Sequence, residues 1–222
     1  SHLMWACTVL VVAKAPVPGL AKTRLAADLG AEVAADIAAA ALLDTLDTVA
    51  AVPVSRRVVA MTGDLARACG YREIERRLAD FTVIGQRGHG FAERLAHAHR
   101  DAAAFGLPVL QIGMDTPQVS PELIDECCRG LRDTDAVLGL AADGGWWVLG
   151  VRKPSMAECL RTVPMSQPDT GARTLLALFD AGLGVRLVTE LADVDTVADI
   201  DGVRCVCAPG GRFAQATRLA GV

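Results

Sequence analysis

Short, near-continuous apolar runs alternate with helical patterns along the chain, and this alternation most narrows what it can fold into. Residues 5–13 read as a strand, 21–50 as one long helix or two broken near Gly30, and 56–62 as a second strand. A short helix containing residues 72–79 leads to a third strand at 79–85. Residues 91–105 are helical and 107–113 form a strand; Ser120-Pro121-Glu122 then opens another helix, with a good N-cap and proline in the first turn. Strands at 135–141 and 146–151 flank Asp143-Gly144-Gly145, and a helix at 170–182 precedes a last clear strand at 184–190. Such alternation, with strands apolar on both faces, implies an α/β fold with a mainly parallel sheet covered by helices on both sides. The Gly-Gly turn predicts a local hairpin or antiparallel pair. Ligands in such sheets sit at the carboxyl ends of strands, near a switch in strand order. The functional rim is therefore expected at 14–24, 85–90, 113–117 and 190–196, with 143–145 joining it.

A length of 222 residues suits one domain, set at residues 5–222, with Ser1-His2-Leu3-Met4 excluded as an expression-tag remnant. The run "WACTVLVVA" has no cationic region ahead of it and meets a Pro/Gly turn at once, so it reads as a buried first strand rather than a secretion signal. No apolar run reaches the roughly 20 residues needed to span a bilayer. The net charge of −4, from 22 basic and 26 acidic side chains, leaves no global basic field for nucleic acid or an anionic membrane. Seven cysteines, an odd number without a CxxC pair, argue against a zinc framework or disulfide scaffold. Buried free thiols in a reducing cytoplasm are the expectation. No nucleophile elbow or HExxH motif occurs.

Five rim segments carry the candidate chemistry. In "VVAKAPVPGLAKTRLAADLG", Pro16 and Pro18 stiffen a turn and Gly19 lets backbone approach a ligand. A helix starting near Ala21 would aim its free N–H groups at that turn, with Lys22 and Arg24 in its first turn. Cations are unfavourable at a helix N-terminus, so their presence implies an anion, such as a phosphate. In "IGMDTPQVSPELI", Asp115 follows a strand and suits either a divalent ion or a ribose hydroxyl, or simply caps its own loop. Asp193 and Asp195 are spaced to reach one hard cation if extended, although Thr196–Asp199 also fits a capping box. In "AADGGWWVLG", Asp143 precedes two glycines and two tryptophans; Trp146 and Trp147 alternate, so one is core and the other is free to cover a sugar or base. Gly85, Gly88 and Gly90 make a flexible loop in which His89 faces ligand, whereas His97 and His99 read as positions on a solvated helix.

The segments "AKAPVPGLAKTRL", "GMDTP", "ADGGWWVLG" and "LADVDTVADI", in this order and spacing from about residue 8 to 201, resemble a glycosyltransferase-like family of bacteria and archaea. That family belongs to the nucleotide-diphospho-sugar transferase (GT-A) superfamily, which includes 2-phospholactate guanylyltransferases. The resemblance implies a three-layer α/β/α Rossmann-like fold. It matches Lys14, Lys22 and Arg24 to positions that meet the phosphates, and Asp143, Gly144 and Gly145 to a pocket element facing the second substrate; with these, Pro18, Gly19, Thr23, Gln86, Gly88 and Trp146 complete the expected nucleotide-binding set. It assigns Mg²⁺ or Mn²⁺ to Asp115, Asp193 and Asp195, and catalysis to Asp115 and Asp143. The usual DxD is here Asp115-Thr116-Pro117, with one acid, and His89 stands where the family commonly has an acidic residue.

The function implied is a metal-dependent transferase with a nucleotide-sugar donor and a small-molecule acceptor. The alternatives are a nucleotidyltransferase acting on a small phosphorylated or carboxylated metabolite, and a non-catalytic nucleotide-binding protein on a degenerate transferase fold.

Overall fold

The computed structural model describes residues 4–222; Ser1–Leu3, most of the presumed tag remnant, lie outside the described residues. Strand β1 (Trp5–Lys14) carries Thr8-Val9 and Val11-Val12, β-branched residues buried on both faces, and takes an interior place in the sheet. Helices α1 (Thr23–Leu29) and α2 (Ala31–Ala51) follow, parted at Gly30, whose φ of 88° interrupts the helix. Then come β2 (Val54–Thr62), α3 (Tyr71–Leu78), β3 (Thr82–Gly85), α4 (Phe91–Ala102), β4 (Val109–Ile112) and α5 (Pro121–Asp133). Strands β5 (Ala136–Ala141) and β6 (Trp146–Val151) precede α6 (Thr170–Asp180), β7 (Val185–Leu191), α7 (Val197–Val206) and α8 (Arg212–Leu219).

The seven strands form one sheet in the order β3-β2-β1-β4-β6-β5-β7. All run parallel except β6, which is antiparallel to both β4 and β5, as the Gly-Gly turn led one to expect. Strand order switches direction between β1 and β4, which leaves a crevice beyond their carboxyl ends. Leu42 and Leu46 of α2, Ile74 of α3 and Ile124 of α5 pack on one face of the sheet with Val9 and Val11. Leu95 of α4 and Leu178 of α6 pack on the other with Leu10 and Leu149, completing the α/β/α layering. A third apolar cluster joins Leu25 and Ile37 to Ile200, Val203 and Phe213 of the last two helices.

Several boundaries differ from the sequence reading, for local reasons. Helix α1 starts at Thr23 rather than near Ala21, because the amides of Leu20 and Ala21 fold back onto the Val17 carbonyl and Lys22 turns left-handed. Strand β3 starts only at Thr82, since Asp80 and Phe81 continue the turn that ends α3. Helix α4 stops at Ala102, before the left-handed Phe105 and Gly106. Helix α8 had no sequence signal at its start: its capping carboxylate comes from Asp44 of α2, which accepts from the Arg212 and Phe213 amides at 3.0 and 2.9 Å. The predicted capping box at Thr196 and Asp199 is present. Of the seven free cysteines, only Cys7, Cys127 and Cys128 are buried; Cys205 is exposed, correcting the expectation of buried thiols throughout.

Two glycines fix the β5–β6 hairpin. Trp147 lies across β5 to donate from Nε1 to the Thr189 carbonyl of β7 at 2.8 Å, and only a glycine at 139 lets it pass. A Cβ there would sit 2.4 Å from Nε1. At the turn, Gly144 has φ +96° and its missing Cβ is replaced by the Pro168 carbonyl, 1.8 Å from where that atom would stand. What lies against this glycine backbone is the protein's own 164–170 loop, rather than the ligand expected from the sequence. Replacing Gly144 by alanine is expected to cost about 2–4 kcal/mol, combining positive-φ strain with a backbone clash. Gly182→Ala, at φ +79° with no atom within 4 Å, serves as the control and loses only about 1 kcal/mol. Urea unfolding measures both.

Candidate functional site

The crevice at the β1/β4 switch point is a cleft of about 840 Å³. Lys14 at the end of β1, Lys22 in the loop that follows, and Thr23 and Arg24 at the start of α1 line it. Asp115 enters from the loop after β4, Asp143, Gly145 and Trp146 from the β5–β6 turn, and Asp193 and Asp195 from the segment after β7. Gln86, after β3, closes the far end. Most of the residues expected from the sequence are thus brought together from segments as much as about 170 positions apart. Pro18, Gly19, Gly88 and Gly144 are not among the lining residues, and His89 is exposed outside it.

Of the three cations expected to meet phosphate, Lys22 and Arg24 point at the aspartates and Lys14 does not. Lys22 is the N-cap of α1 in a left-handed conformation (φ 49°, ψ 55°), unusual for a residue with a long side chain. That backbone turn sends its side chain, only 12% exposed, inward, where Nζ sits 2.6 Å from Asp115 Oδ1 and also donates to the Val194 carbonyl. The Val194 amide in turn donates to the Asp115 carbonyl at 2.8 Å, so the loops after β1, β4 and β7 are tied together. Arg24 Nη1 pairs with Asp195 Oδ2 at 2.8 Å. Lys14 Nζ reaches back to the Leu20 carbonyl at 2.6 Å and steadies the turn.

Asp193 is the perturbed carboxyl of the cleft. Burial, then the charge of Asp143, push its pKa up to about 6, with Asp115 adding to the repulsion. Three carboxylates from three strand ends therefore crowd one another. Asp143 is fixed in its turn by the Gly145 amide, which donates to Oδ1 at 2.9 Å. Among the described residues no group of three His, Cys, Asp or Glu side chains forms a ready-made cation cage. Lys22 holds Asp115 and Arg24 holds Asp195 instead.

Sequence reasoning missed the opposite wall. Gln111, the one polar residue of the otherwise apolar β4, is 3% exposed and lines the cleft. Its Oε1 lies 2.9 Å from Nε2 of His99. His99 is fully buried, which corrects its reading as a solvated helix position: α4 faces the sheet through Leu95, Ala98, His99 and Ala102. Desolvation pushes the His99 pKa down to about 4, so the ring is neutral. Arg94, one turn into α4, also lines the cleft; its Nε donates to Gln86 Oε1 at 3.2 Å. A glutamine inside the apolar run "VLQI" was the one visible signal for this wall.

The two shifts oppose each other with pH. Unfolded His99 titrates near 6.5 and native His99 near 4, so the unfolded chain binds more protons in between and stability falls on acidification through that window. Asp193 has the reverse sign: its native pKa near 6 exceeds the unfolded 3.8, so stability falls as pH rises from about 4 to 6. Urea titrations from pH 4 to 8 are expected to show wild type losing up to about 1.4 kcal/mol per pH unit relative to His99→Phe on acidification. Asp193→Asn should gain on wild type as pH rises.

Across its length the chain is similar to a provisionally assigned nucleotide-diphospho-sugar transferase from Desulfovibrio desulfuricans G20. The two are 25% identical over 98% of this chain and 96% of that one, with a TM-score of 0.85. CMP:2-keto-3-deoxy-manno-octonic acid synthetase, solved with CTP, shares the fold at 14% identity and a TM-score of 0.54, covering 90% of this chain and 97% of that one. The manganese complex of Rv0371c from Mycobacterium tuberculosis H37Rv does so at 18% and 0.54, covering 89% and 97%. No curated protein matches the chain in sequence. The fold is that of the nucleotide-diphospho-sugar transferases, a mostly parallel Rossmann-like sheet between helices. The sequence match over residues 45–167, more than half of the chain, makes it a member of the family DUF2064, described as an uncharacterized protein conserved in bacteria.

Proposed function

We propose that the chain is a divalent-metal-dependent transferase that takes a nucleotide-sugar donor and moves the sugar to a small acceptor. The observation that carries this reading is the cleft at the β1/β4 switch point, where carboxylates from three strand ends meet Lys22 and Arg24. The similarity to the D. desulfuricans protein over nearly the whole chain supports it.

The donor chemistry fits Mg²⁺ or Mn²⁺. Asp115, Asp193 and Asp195 offer only hard oxygen donors, and Asp193 is destabilised as an anion by its neighbours until a cation compensates it. Such an ion, when bound, supplies positive charge to the diphosphate and its leaving oxygen. Lys22, released from Asp115, turns its ammonium to a phosphate oxygen, and Arg24 and Lys14 stabilise the charge that develops on the departing nucleoside diphosphate. Asp143, held by the Gly145 amide, accepts the proton of the acceptor hydroxyl. That oxygen bonds to the anomeric carbon while the bond from the anomeric carbon to the diphosphate oxygen breaks. Trp146 gives the sugar an apolar face.

One observation favours a second reading, nucleotidyl transfer. Asp143 is close enough to Asp193 to raise its pKa, so it belongs to the carboxylate cluster rather than standing apart as a base. In nucleotidyl transfer an acceptor oxyanion attacks the α-phosphorus of a nucleoside triphosphate and pyrophosphate leaves. Positioning then suffices without a protein base.

Melting curves with GTP, CTP, UDP-glucose and GDP-mannose, each with and without Mn²⁺, test the site. A ligand at 100-fold over its Kd adds about 2.7 kcal/mol, a rise of roughly 5–10 °C for a chain of this size, expected only with metal. Asp115→Asn should abolish the metal-dependent rise and lower turnover by about a hundredfold or more. Release of nucleoside diphosphate from a nucleotide sugar identifies glycosyl transfer, and release of pyrophosphate identifies nucleotidyl transfer. No metal-dependent rise with any of these ligands would sink both readings.

A further inference from the structure

On the α4 side the cleft is lined by Arg94 and by two glutamines, Gln86 and Gln111, each oriented by its own hydrogen bonds. Gln86 spends its amide N–H groups on the carbonyls of Ala13 and Ala60, at 2.9 and 3.0 Å, where β1 and β2 end. Its Oε1 is left to receive Arg94 Nε. Arg94 also stacks over Phe91, 5.5 Å from guanidinium carbon to ring centroid. Among the described residues it has no acidic partner, whereas Lys22 and Arg24 in the same cleft each have one. Arg94 lines the cleft, and its remaining N–H groups have no protein acceptor among the described residues.

Gln111 is fixed the opposite way round. The His99 ring is neutral and its Nδ1 has no partner. If the glutamine amide donated to Nε2, the ring proton would sit on Nδ1, a buried donor without an acceptor. The cheaper tautomer puts the proton on Nε2, donating to Gln111 Oε1, and leaves only a lone pair unpaired. That orientation turns the Gln111 amide nitrogen, which has no protein acceptor among the described residues, toward the cleft it lines. The side chain is 3% exposed, and its amide nitrogen, which is not one of the buried unpartnered atoms, is open to the cleft and placed to donate to a group that enters it.

We infer that Arg94 and Gln111 form a second subsite, distinct from the aspartate rim, that takes an oxyanion — a carboxylate or a phosphate — on the non-nucleotide part of the substrate, with His99 as the positioning residue for Gln111. The subsite deepens the proposed function and rests on it for the nucleotide. It states what the transferred sugar or the acceptor must carry: an oxygen-rich anionic group with no donor to offer. Arg94 supplies a planar fork of N–H donors for it, and Gln111 adds a neutral donor at the floor.

The test follows melting and ligand-detected NMR of the full chain with glycerate, 3-phosphoglycerate and inorganic phosphate, and separately with UDP-glucuronate against UDP-glucose in Mn²⁺. If the oxyanion belongs to the acceptor, the free anions bind wild type, and Arg94→Gln and Gln111→Leu each weaken them about tenfold or more. If it belongs to the donor, UDP-glucuronate binds wild type more tightly than UDP-glucose, and both substitutions erase that preference. Histidine ¹⁵N spectra should show His99 protonated on Nε2. Loss of anion affinity in His99→Phe, regained on return to a side chain with a matching donor in His99→Asn, separates positioning from bulk packing. Anion binding that none of the substitutions weakens, or no anion binding and no UDP-glucuronate preference in wild type, overturns the inference. Failure of the nucleotide reading looks different: anion binding persists in wild type while no nucleotide gives a metal-dependent shift.

Discussion

The ion pair between Lys22 and Asp115 is the contact on which the geometry of the cleft depends. It forms only because Lys22 adopts a left-handed backbone, a conformation that costs an L-residue about 1–2 kcal/mol. The strain is held in place from several sides: by Asp115 Oδ1, by the Val194 carbonyl, and by the Val194 amide bonded back to the Asp115 carbonyl. Three loops that follow three different strands are thereby locked to one another. Without that knot, Asp115 and Asp193 would be carried on independent loops, and their mutual repulsion would favour separation. Lys22 is thus both a partner for anions and the spacer that keeps the carboxylates near one another before any ligand arrives.

The position of Asp143 has a different origin, in packing rather than charge. Strand β6 runs against the direction of its neighbours so that Trp147 can reach over Gly139 to the Thr189 carbonyl. The following close approach of Gly144 to Pro168, with the Gly171 amide donating to the Gly144 carbonyl at 2.7 Å, pins the turn. Asp143 is then held at the tip of a rigid hairpin, where its carboxylate meets Asp193. Backbone contacts that leave no room for a Cβ are a precise means of holding a functional side chain, because any shift of the turn is opposed by direct overlap.

The sheet, its parallel sense and the antiparallel hairpin were legible in the sequence because β1 to β6 are short runs that meet Pro or Gly within a few residues. The rim segments at Lys22, Asp115 and Asp143 were legible for the same reason, and Asp193 from its spacing to Asp195. What was not legible depends on partners far away in the chain. The start of α8 is capped by Asp44, about 170 residues earlier, so no local cap announces it. His99 reads as one of two polar positions on a charged helix, and only the packing of α4 against β4 shows that it is buried beside Gln111. Gly144 and Gly145 promised room for a ligand, but the Gly144 side of that room is filled by residues 168–171, whose proximity no spacing rule encodes. The motifs that carry the family resemblance point to the acidic rim and, on the α4 side, to Gln86 alone, because Arg94 and Gln111 sit inside a helix and a strand whose periodicity is already explained by the core.

The cleft joins two surfaces of opposite hydrogen-bonding character. Asp115, Asp143 and Asp193 offer acceptors with excess negative charge; Arg94 and Gln111 offer donors with no acceptor in the protein. The carboxylate cluster is unfavourable by itself, since burial and mutual repulsion oppose the charge of Asp193, while the Gln111 amide and Arg94 leave donors open to the cleft. A fold that needed only stability would have let the two surfaces meet, as Lys22 and Asp115 do. Instead, among the described residues, Arg94 pairs with none of the aspartates that line the same cleft. In the proposed transferase reading, a nucleotide with its cation answers the acidic rim and leaves the donors of Arg94 and Gln111 unpaired, and a ligand pair that is cationic through its metal at one end and anionic at the other answers both.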